Sequence, residues 1–434
     1  MVDPSAPVFR DRPTKLYVET TTRCNLRCGM CVKQSLDGGI ADSDMPAEIF
    51  DALKPAFLGL EALILSGIGE PLLHPRLEDM IRSARSLMPR ESSIGFQSNG
   101  LLLTEKRARS LVDAGLDRIC ISVDAVTEDV FGEIREGGGL RAVESAMGAI
   151  NEARAGRPHF KAGIEFVAMR RNIGELDAVL RWASARGLDF ALVTQVLPYQ
   201  KGTVEEAVYD PNTDAAVAFF EPWRCRARAE GIAIERYFEV LWNYKKTPEE
   251  EAIVDFVERM KADAHSRDIF FNVQKMLARD EEWVGEMEAA FARARKTADE
   301  LKLDVWLPEV VPQSARRCDF VEGGSAFVSV AGEVHPCYFL WHAYRCFING
   351  REKSVTPRTF GRVPDRGILD IWNEPAFAAF RESVVRYDYP YCSDCNLSKC
   401  CDYVSADEFE RDCYLNEEPC GDCLWCKGVF KCLG

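Results

Sequence analysis

The chain has 434 residues, 47% of them apolar and 28% charged, with a formal net charge of −15 at pH 7. That composition belongs to a globular protein with length for two or three structural units. The acidic balance excludes sequence-independent nucleic-acid binding, and no apolar run approaches the ~18 residues of a membrane span.

Over residues 15–202 strand-like and helix-like patterns alternate. Strands are expected at Lys15–Thr20, Ala62–Ser66, Ser93–Ser98, Arg118–Val123, Lys161–Ala168 and Phe190–Val196. Helices are expected between them at Ala47–Leu58, Arg76–Met88, Thr104–Ala114, Leu140–Ala155 and Ile173–Arg186. Pro46 and Thr104 are helix-start signals, and Gly115 and Gly187 sit where C-terminal caps belong. Six β/α units with right-handed crossovers predict an α/β fold, a parallel sheet curling into a partial TIM-like barrel. Ligands in such folds sit at the C-terminal ends of the strands.

Those strand ends carry the chemistry. After the first strand, Cys24-x3-Cys28-x2-Cys31 packs three thiols into eight residues. Three thiolates can hold three irons of a four-iron cluster and leave the fourth open to a small molecule. A zinc knuckle or a disulfide cluster is the alternative reading. After the second strand comes Ser66-Gly67-Ile68-Gly69-Glu70-Pro71, where two glycines let the backbone approach a ligand and Glu70 can accept from an ammonium. The third strand ends at Gln97-Ser98-Asn99-Gly100, in which Gln97 or Asn99 serves a ligand, or Asn99-Gly100 serves the turn alone. On the fourth, alternation puts Ser122 and Asp124 on one face.

The Cys-Asn-Leu-Arg-Cys setting of the triplet resembles the signature of the radical S-adenosylmethionine (radical SAM) superfamily. The resemblance implies a [4Fe-4S] cluster whose open iron binds SAM through its amino and carboxylate groups. It also implies reductive cleavage of SAM to a 5′-deoxyadenosyl radical, with electrons from a reductant such as flavodoxin or ferredoxin. Gly67, Gly69, Glu70 and Pro71 resemble the family's GGE motif, which contacts the SAM amino group; Ile68 interrupts the paired glycines. Ser122 and Asp124 match the family's Ser-x-Asp pair for the ribose hydroxyls or the carboxylate. Met30 stands where the family often places an aromatic residue against adenine, and its soft thioether can do similar work. Met169 or Val167 on the fifth strand is the expected apolar contact to adenine.

Residues 203–305 break the alternation and read as a helical insertion, with long patterns at Pro248–Lys261 and Glu281–Lys302. Trp223, Phe238, Trp242 and Phe256 are expected to form its small core. Cys120 and Cys225 are expected to be buried core residues.

Of the 17 Cys, 12 lie from Cys318 onward. The N-terminal Met1-Val2-Asp3-Pro4 lacks the pattern of a secretory signal, so a cytoplasmic location with reduced thiols is expected. Cys318-x13-Gly332-x4-Cys337, then Cys392-x2-Cys395-x5-Cys401, resembles the SPASM domain, the auxiliary-cluster extension of radical SAM enzymes. Between the first two Cys, Phe327–Cys337 reads as a hairpin turning at Ala331-Gly332. The usual next Cys falls at Ser405, and Cys413 is its expected substitute. The tail Cys420-x2-Cys423-x2-Cys426-x5-Cys432 has thiols for a further site, for iron or for zinc. One or two auxiliary [4Fe-4S] clusters are therefore expected. The domain boundaries follow as 1–202 for the barrel, 203–305 for the insertion and 306–434 for the SPASM part. Residues 392–434 carry nine Cys and few apolar side chains, so this tail is expected to depend on metal; deleting it after Phe409 is expected to cost at least about four irons and to spare SAM cleavage.

SPASM enzymes typically modify a peptide or protein, which is the implied substrate class; a sugar, nucleoside or amino acid is the alternative, and a non-catalytic metal-binding scaffold the third. Sulfatase-maturing members place Asp directly after the Cys that matches Cys337, where this chain has Tyr338. Pro419-Cys-Gly-Asp-Cys-Leu-Trp-Cys426 resembles members thought to mature metalloenzymes, tungsten-type oxidoreductases among them.

Overall fold

A computed structural model describes residues 5–35, 40–397, 401, 411–431 and 433. Six parallel strands fall where alternation predicts them: β1 (Lys15–Val18), β2 (Ala62–Ile64), β3 (Ser93–Ser98), β4 (Arg118–Ser122), β5 (Lys161–Ala168) and β6 (Phe190–Gln195). Their apolar residues face helices such as Leu77–Arg85, Glu105–Ala114 and Leu140–Ala153 and form one buried core with them. The Thr104 hydroxyl accepts from Arg107 N at the start of the second of these helices, and Gly115 closes it at φ 106°. The helix expected over Ala47–Leu58 is two short ones, Ala47–Ala52 and Lys54–Phe57, because Pro55 has no N–H to continue the first. A further helix, Glu128–Ile134, has no counterpart in the sequence reading.

The sheet does not stop at six strands. The helix Glu281–Leu301, expected in the insertion, packs on the barrel helix Leu176–Ala185, and its Phe291 and Ala294 belong to the barrel core. It delivers β7 (Asp304–Trp306), which pairs parallel with β6. On the opposite edge β8 (Ser325–Val328) pairs parallel with β1, Lys15 against Ser325 and Val18 against Val328. Antiparallel β9 (Glu333–His335) returns from the turn closed by Gly332 N to Ser329 O, as the hairpin pattern predicts. A separate pair, β10 (Tyr344–Ile348) and β11 (Arg351–Val355), follows, and β12 (Gly361–Arg362) completes a ten-stranded sheet in the order β12-β9-β8-β1-β2-β3-β4-β5-β6-β7. The Cys-rich C-terminal part thus continues the barrel sheet and buries its β1 edge. Among the described residues no closed barrel forms.

The insertion proper is smaller than expected. Helices Asp214–Ala229, Pro248–Ser266 and Val273–Leu277 share a core of their own around Phe220, Phe256 and Met260. Trp223 packs on that core at its margin, whereas Phe238 and Trp242 are exposed, Trp242 to 85%. Cys120 is buried on β4 as expected, but Cys225 is on the surface. Among the described residues no helix is long and apolar enough to cross a membrane.

Candidate active site

The loop after β1 carries Cys24, Cys28 and Cys31 and is laced to its surroundings by backbone bonds. Met45 N donates to Thr20 O, Thr22 N to Ser43 O and Glu70 N to Arg23 O at 2.8, 2.9 and 2.7 Å. Cys31 N donates to Cys28 O at 3.0 Å, closing a backbone turn between the last two Cys. Burial raises all three thiols, Cys31 to about 11. They hold their protons near neutrality until a metal displaces them.

The loop after β2 presses against this one. A Cβ at Gly69 would stand 2.3 Å from Thr21 O and 2.5 Å from Arg23 O, so only glycine allows the approach. Gly67 is likewise closed off by the Glu19 side chain. The Glu70 carboxylate accepts from Leu72 N at 3.1 Å, Ser98 Oγ at 2.8 Å and Asn99 N at 2.7 Å. Burial pushes its pKa up, and these donors oppose the shift. Asn99 Nδ2 donates to Asn25 Oδ1 at 2.9 Å, tying the end of β3 to the Cys loop.

A cavity of about 330 Å³ opens at these strand ends. Cys24, Cys28, Cys31, Gly67, Gly69, Glu70, Asn99 and Ser122 line it, and Met30, Val167, Val196 and Leu197 give it an apolar side. Asp124 and Met169 do not line it. Asp124 is fully buried, accepting from Val167 N at 2.7 Å and from Arg135 Nε at 2.6 Å. Met169 packs behind Val167 with Ile134 and Val196. Pro71 lies outside the lining and starts the turn Pro71–Leu73.

Several lining residues escaped the sequence reading, Arg135, Glu165, Gln195 and Trp341 among them. Arg135, held by Asp124, brings a cation to the wall near Cys28; the only signal for it was an Arg set before Gly137-Gly138-Gly139. Glu165 stands beside Ser122 across β4 and β5, and burial pushes its carboxyl up to about 7. Gln195 gives its Nε2 to Glu309 O at 2.7 Å and keeps a buried, unpartnered Oε1, as the lining Trp341 keeps an unpartnered Nε1. Orphaned polar atoms on a cavity wall mark a place for a polar ligand.

The other thiols fall into two groups. Cys420 is within electrostatic range of Cys423, Cys337 and Cys318. Cys426 joins this group, its thiol donating to Cys423 O at 3.2 Å. A cavity of about 100 Å³ lined by Cys318, Cys337 and Cys423 shares Tyr338, Trp425, Phe430 and Lys431 with the large one. The second group forms around Cys413, which is in range of Cys401 and Cys395 and acts on Cys392. Cys346 is buried apart on β10. Ser405, Cys400 and Cys432 lie outside the described residues. Among the described residues no three Cys, His, Asp or Glu close around a single ion. A four-iron cluster is wider than one ion and takes its thiolates at greater separation.

The family model of the radical SAM superfamily matches residues 18–183, and that of the SPASM iron–sulfur cluster-binding domain matches residues 318–396. A probable GTP 3′,8-cyclase of Methanococcus aeolicus is 30% identical over 230 residues, 51% of this chain and 75% of that protein. The chain belongs to the radical SAM superfamily.

Over nearly its whole length this radical SAM protein is similar to the tungsten-containing aldehyde ferredoxin oxidoreductase cofactor-modifying protein of Pyrococcus furiosus. Identity is 29% over 423 residues, 96% of each chain. The fold is shared with Streptococcus suis SuiB bound to S-adenosylmethionine, at TM-score 0.51 and 13% identity over 93% of this chain and 77% of that one. Its cofactors are SAM and [4Fe-4S] clusters, and the residues present suit them. Three thiols share a cavity wall with a buried carboxylate suited to an ammonium, a buried guanidinium suited to a carboxylate, and an apolar face suited to a purine.

Proposed function

We propose that this protein is an oxidoreductase that matures a metalloenzyme, removing a hydrogen atom from a peptide or protein substrate. The full-length similarity to a cofactor-modifying protein carries this reading. Bound together, the three-thiolate cluster and SAM supply a 5′-deoxyadenosyl radical. Cys24, Cys28 and Cys31 hold that cluster, Glu70 takes the SAM ammonium, and Arg135 takes its carboxylate. Ser122 and Asn99 complete the polar wall. Met30 and Val167 face the purine and keep water from it. Asp124 and Met169 act one layer behind, by fixing Arg135 and Val167. Trp341, Trp425 and Phe430 wall the rest of the cavity, where the substrate enters, and Trp425 and Phe430 stand between it and the Cys318, Cys337 and Cys423 thiols. Flavodoxin or ferredoxin is the reductant in this reading.

The match of the barrel to a GTP 3′,8-cyclase favours a second reading, a small-molecule substrate such as a nucleoside. Anaerobic incubation with SAM, dithionite and a deuterated candidate separates the two. Deuterium passing into 5′-deoxyadenosine from a polypeptide of the metalloenzyme being matured, with a mass change in that polypeptide, is the expected result. Transfer from nucleosides alone would replace the first reading by the second.

A further inference from the structure

The two auxiliary thiol groups are joined by a repeated element. Cys392-Ser393-Asp394-Cys395 and Cys420-Gly421-Asp422-Cys423 have the same Cys-x-Asp-Cys form, and each opens as a 3-10 turn. The turns touch: a Cβ at Gly421 would stand 2.7 Å from Pro390 O and 3.0 Å from Cys392 Sγ. Each Asp is buried and held by cations. Asp422 accepts from Lys353 Nζ at 2.8 Å, from Asn349 Nδ2 at 3.2 Å and from Arg351 Nη2. Asp394 accepts from Lys427 Nζ and Thr213 Oγ1, both at 3.2 Å. Lys275 Nζ reaches Ser393 O at 2.5 Å. Four cations therefore meet two carboxylates between the thiol groups.

One of those cations is incompletely satisfied. Arg351, its side chain 9% exposed, uses Nη2 on Asp422, while its Nε and Nη1 are buried with no hydrogen-bond partner. Two unmade hydrogen bonds on a buried guanidinium are costly unless an acceptor arrives. The guanidinium is within electrostatic range of the Cys392 thiol. Cluster sulfur and thiolate are acceptors of negative charge. A [4Fe-4S] cluster on four thiolates gains one further negative charge when it takes an electron, so a neighbouring cation favours the reduced form.

We propose that Arg351 donates its free Nε and Nη1 to sulfur of the cluster on Cys392, Cys395, Cys401 and Cys413, and that the Arg351–Lys353–Asp422 set holds this cluster at a raised reduction potential. The inference rests on the cluster reading above. Iron counts and the spectrum of the unaltered protein test that reading separately.

The test is a dithionite redox titration of the reconstituted full chain, followed by electron paramagnetic resonance. Arg351→Met removes a cation and two donors; Asp422→Asn removes a negative charge. Arg351→Met is expected to lower the equilibrium constant for reduction of this one cluster tenfold or more, which is ~59 mV per tenfold for one electron. Asp422→Asn is expected to raise it, with the Cys24–Cys28–Cys31 cluster unmoved in both. A purely structural role moves both variants in the same direction or neither, and either outcome overturns the proposal. Should Arg351→Met lose the cluster, Asp422→Asn decides: a rise supports the proposal, and no shift or a fall overturns it.

Discussion

Replacing Cys24, Cys28 and Cys31 together by Ala is expected to abolish 5′-deoxyadenosine formation from SAM and dithionite. It should also remove about four irons per chain, one cluster's worth. The three thiols share one cavity wall with Glu70 and Arg135, and the other thiol groups are built on separate elements. The auxiliary iron should therefore stay. The folded core should stay as well, because the Cys loop is fixed by backbone bonds to residues 41–45 and to Glu70 rather than by the thiols. Deoxyadenosine from the triple variant, or loss of all iron, would mean that the radical forms elsewhere or that the thiol groups are interdependent.

Deleting the chain after Phe409 is the second large effect. Read from the sequence, this tail looks poor in apolar residues and separable from SAM cleavage. The structure corrects the first point and motivates a different expectation for the second. Leu424, Val429, Phe430 and Leu433 are buried, each contributing about 1.5–3 kcal/mol. Glu309 N, Gln313 N and Arg317 N donate to the tail carbonyls of Gly428, Lys427 and Cys426. Trp425, Phe430 and Lys431 line the SAM-side cavity. The deletion takes Cys420 and Cys423 from one thiol group and Cys413 from the other. The expected loss is at least about four irons, from the Cys318–Cys337 group, and about eight if the other group cannot keep its cluster without Cys413. SAM cleavage should fall by ~10-fold or more, because the cavity loses a wall and water reaches the site. Iron and deoxyadenosine measured on one preparation check both. A loss of only about four irons with full SAM cleavage would restore the tail as an independent module.

The contrast shows what local pattern can carry. The Cys triplet, Gly67–Glu70 and Ser122 were legible because each is a short run at a strand end, and period-two alternation located those ends. Asp124 was misread because alternation gives the face but not the competitor: Val167 N and Arg135 Nε already occupy its carboxylate. Arg135 belongs to a helix end in a glycine-rich stretch, and only the third dimension brings it to the cavity. The pairing of β8 with β1 joins segments about three hundred residues apart, and no local periodicity encodes register over such a distance. Helix Glu281–Leu301 has the charge pattern of a solvated insertion, yet its apolar stripe lies on the barrel. The two thiol groups interleave in sequence, Cys318 and Cys337 with Cys420 and Cys423, around Cys392–Cys413. Spacing alone could count those ligands but not sort them.

In the proposed function the chain holds three separate four-iron sites, one for SAM and two built from interleaved Cys. Metal analysis of protein purified anaerobically in its native state tests it most directly. About twelve irons per chain are expected, four for each thiol group, with matching acid-labile sulfide and no zinc. About four irons per chain with zinc bound at the C-terminal thiols would contradict it.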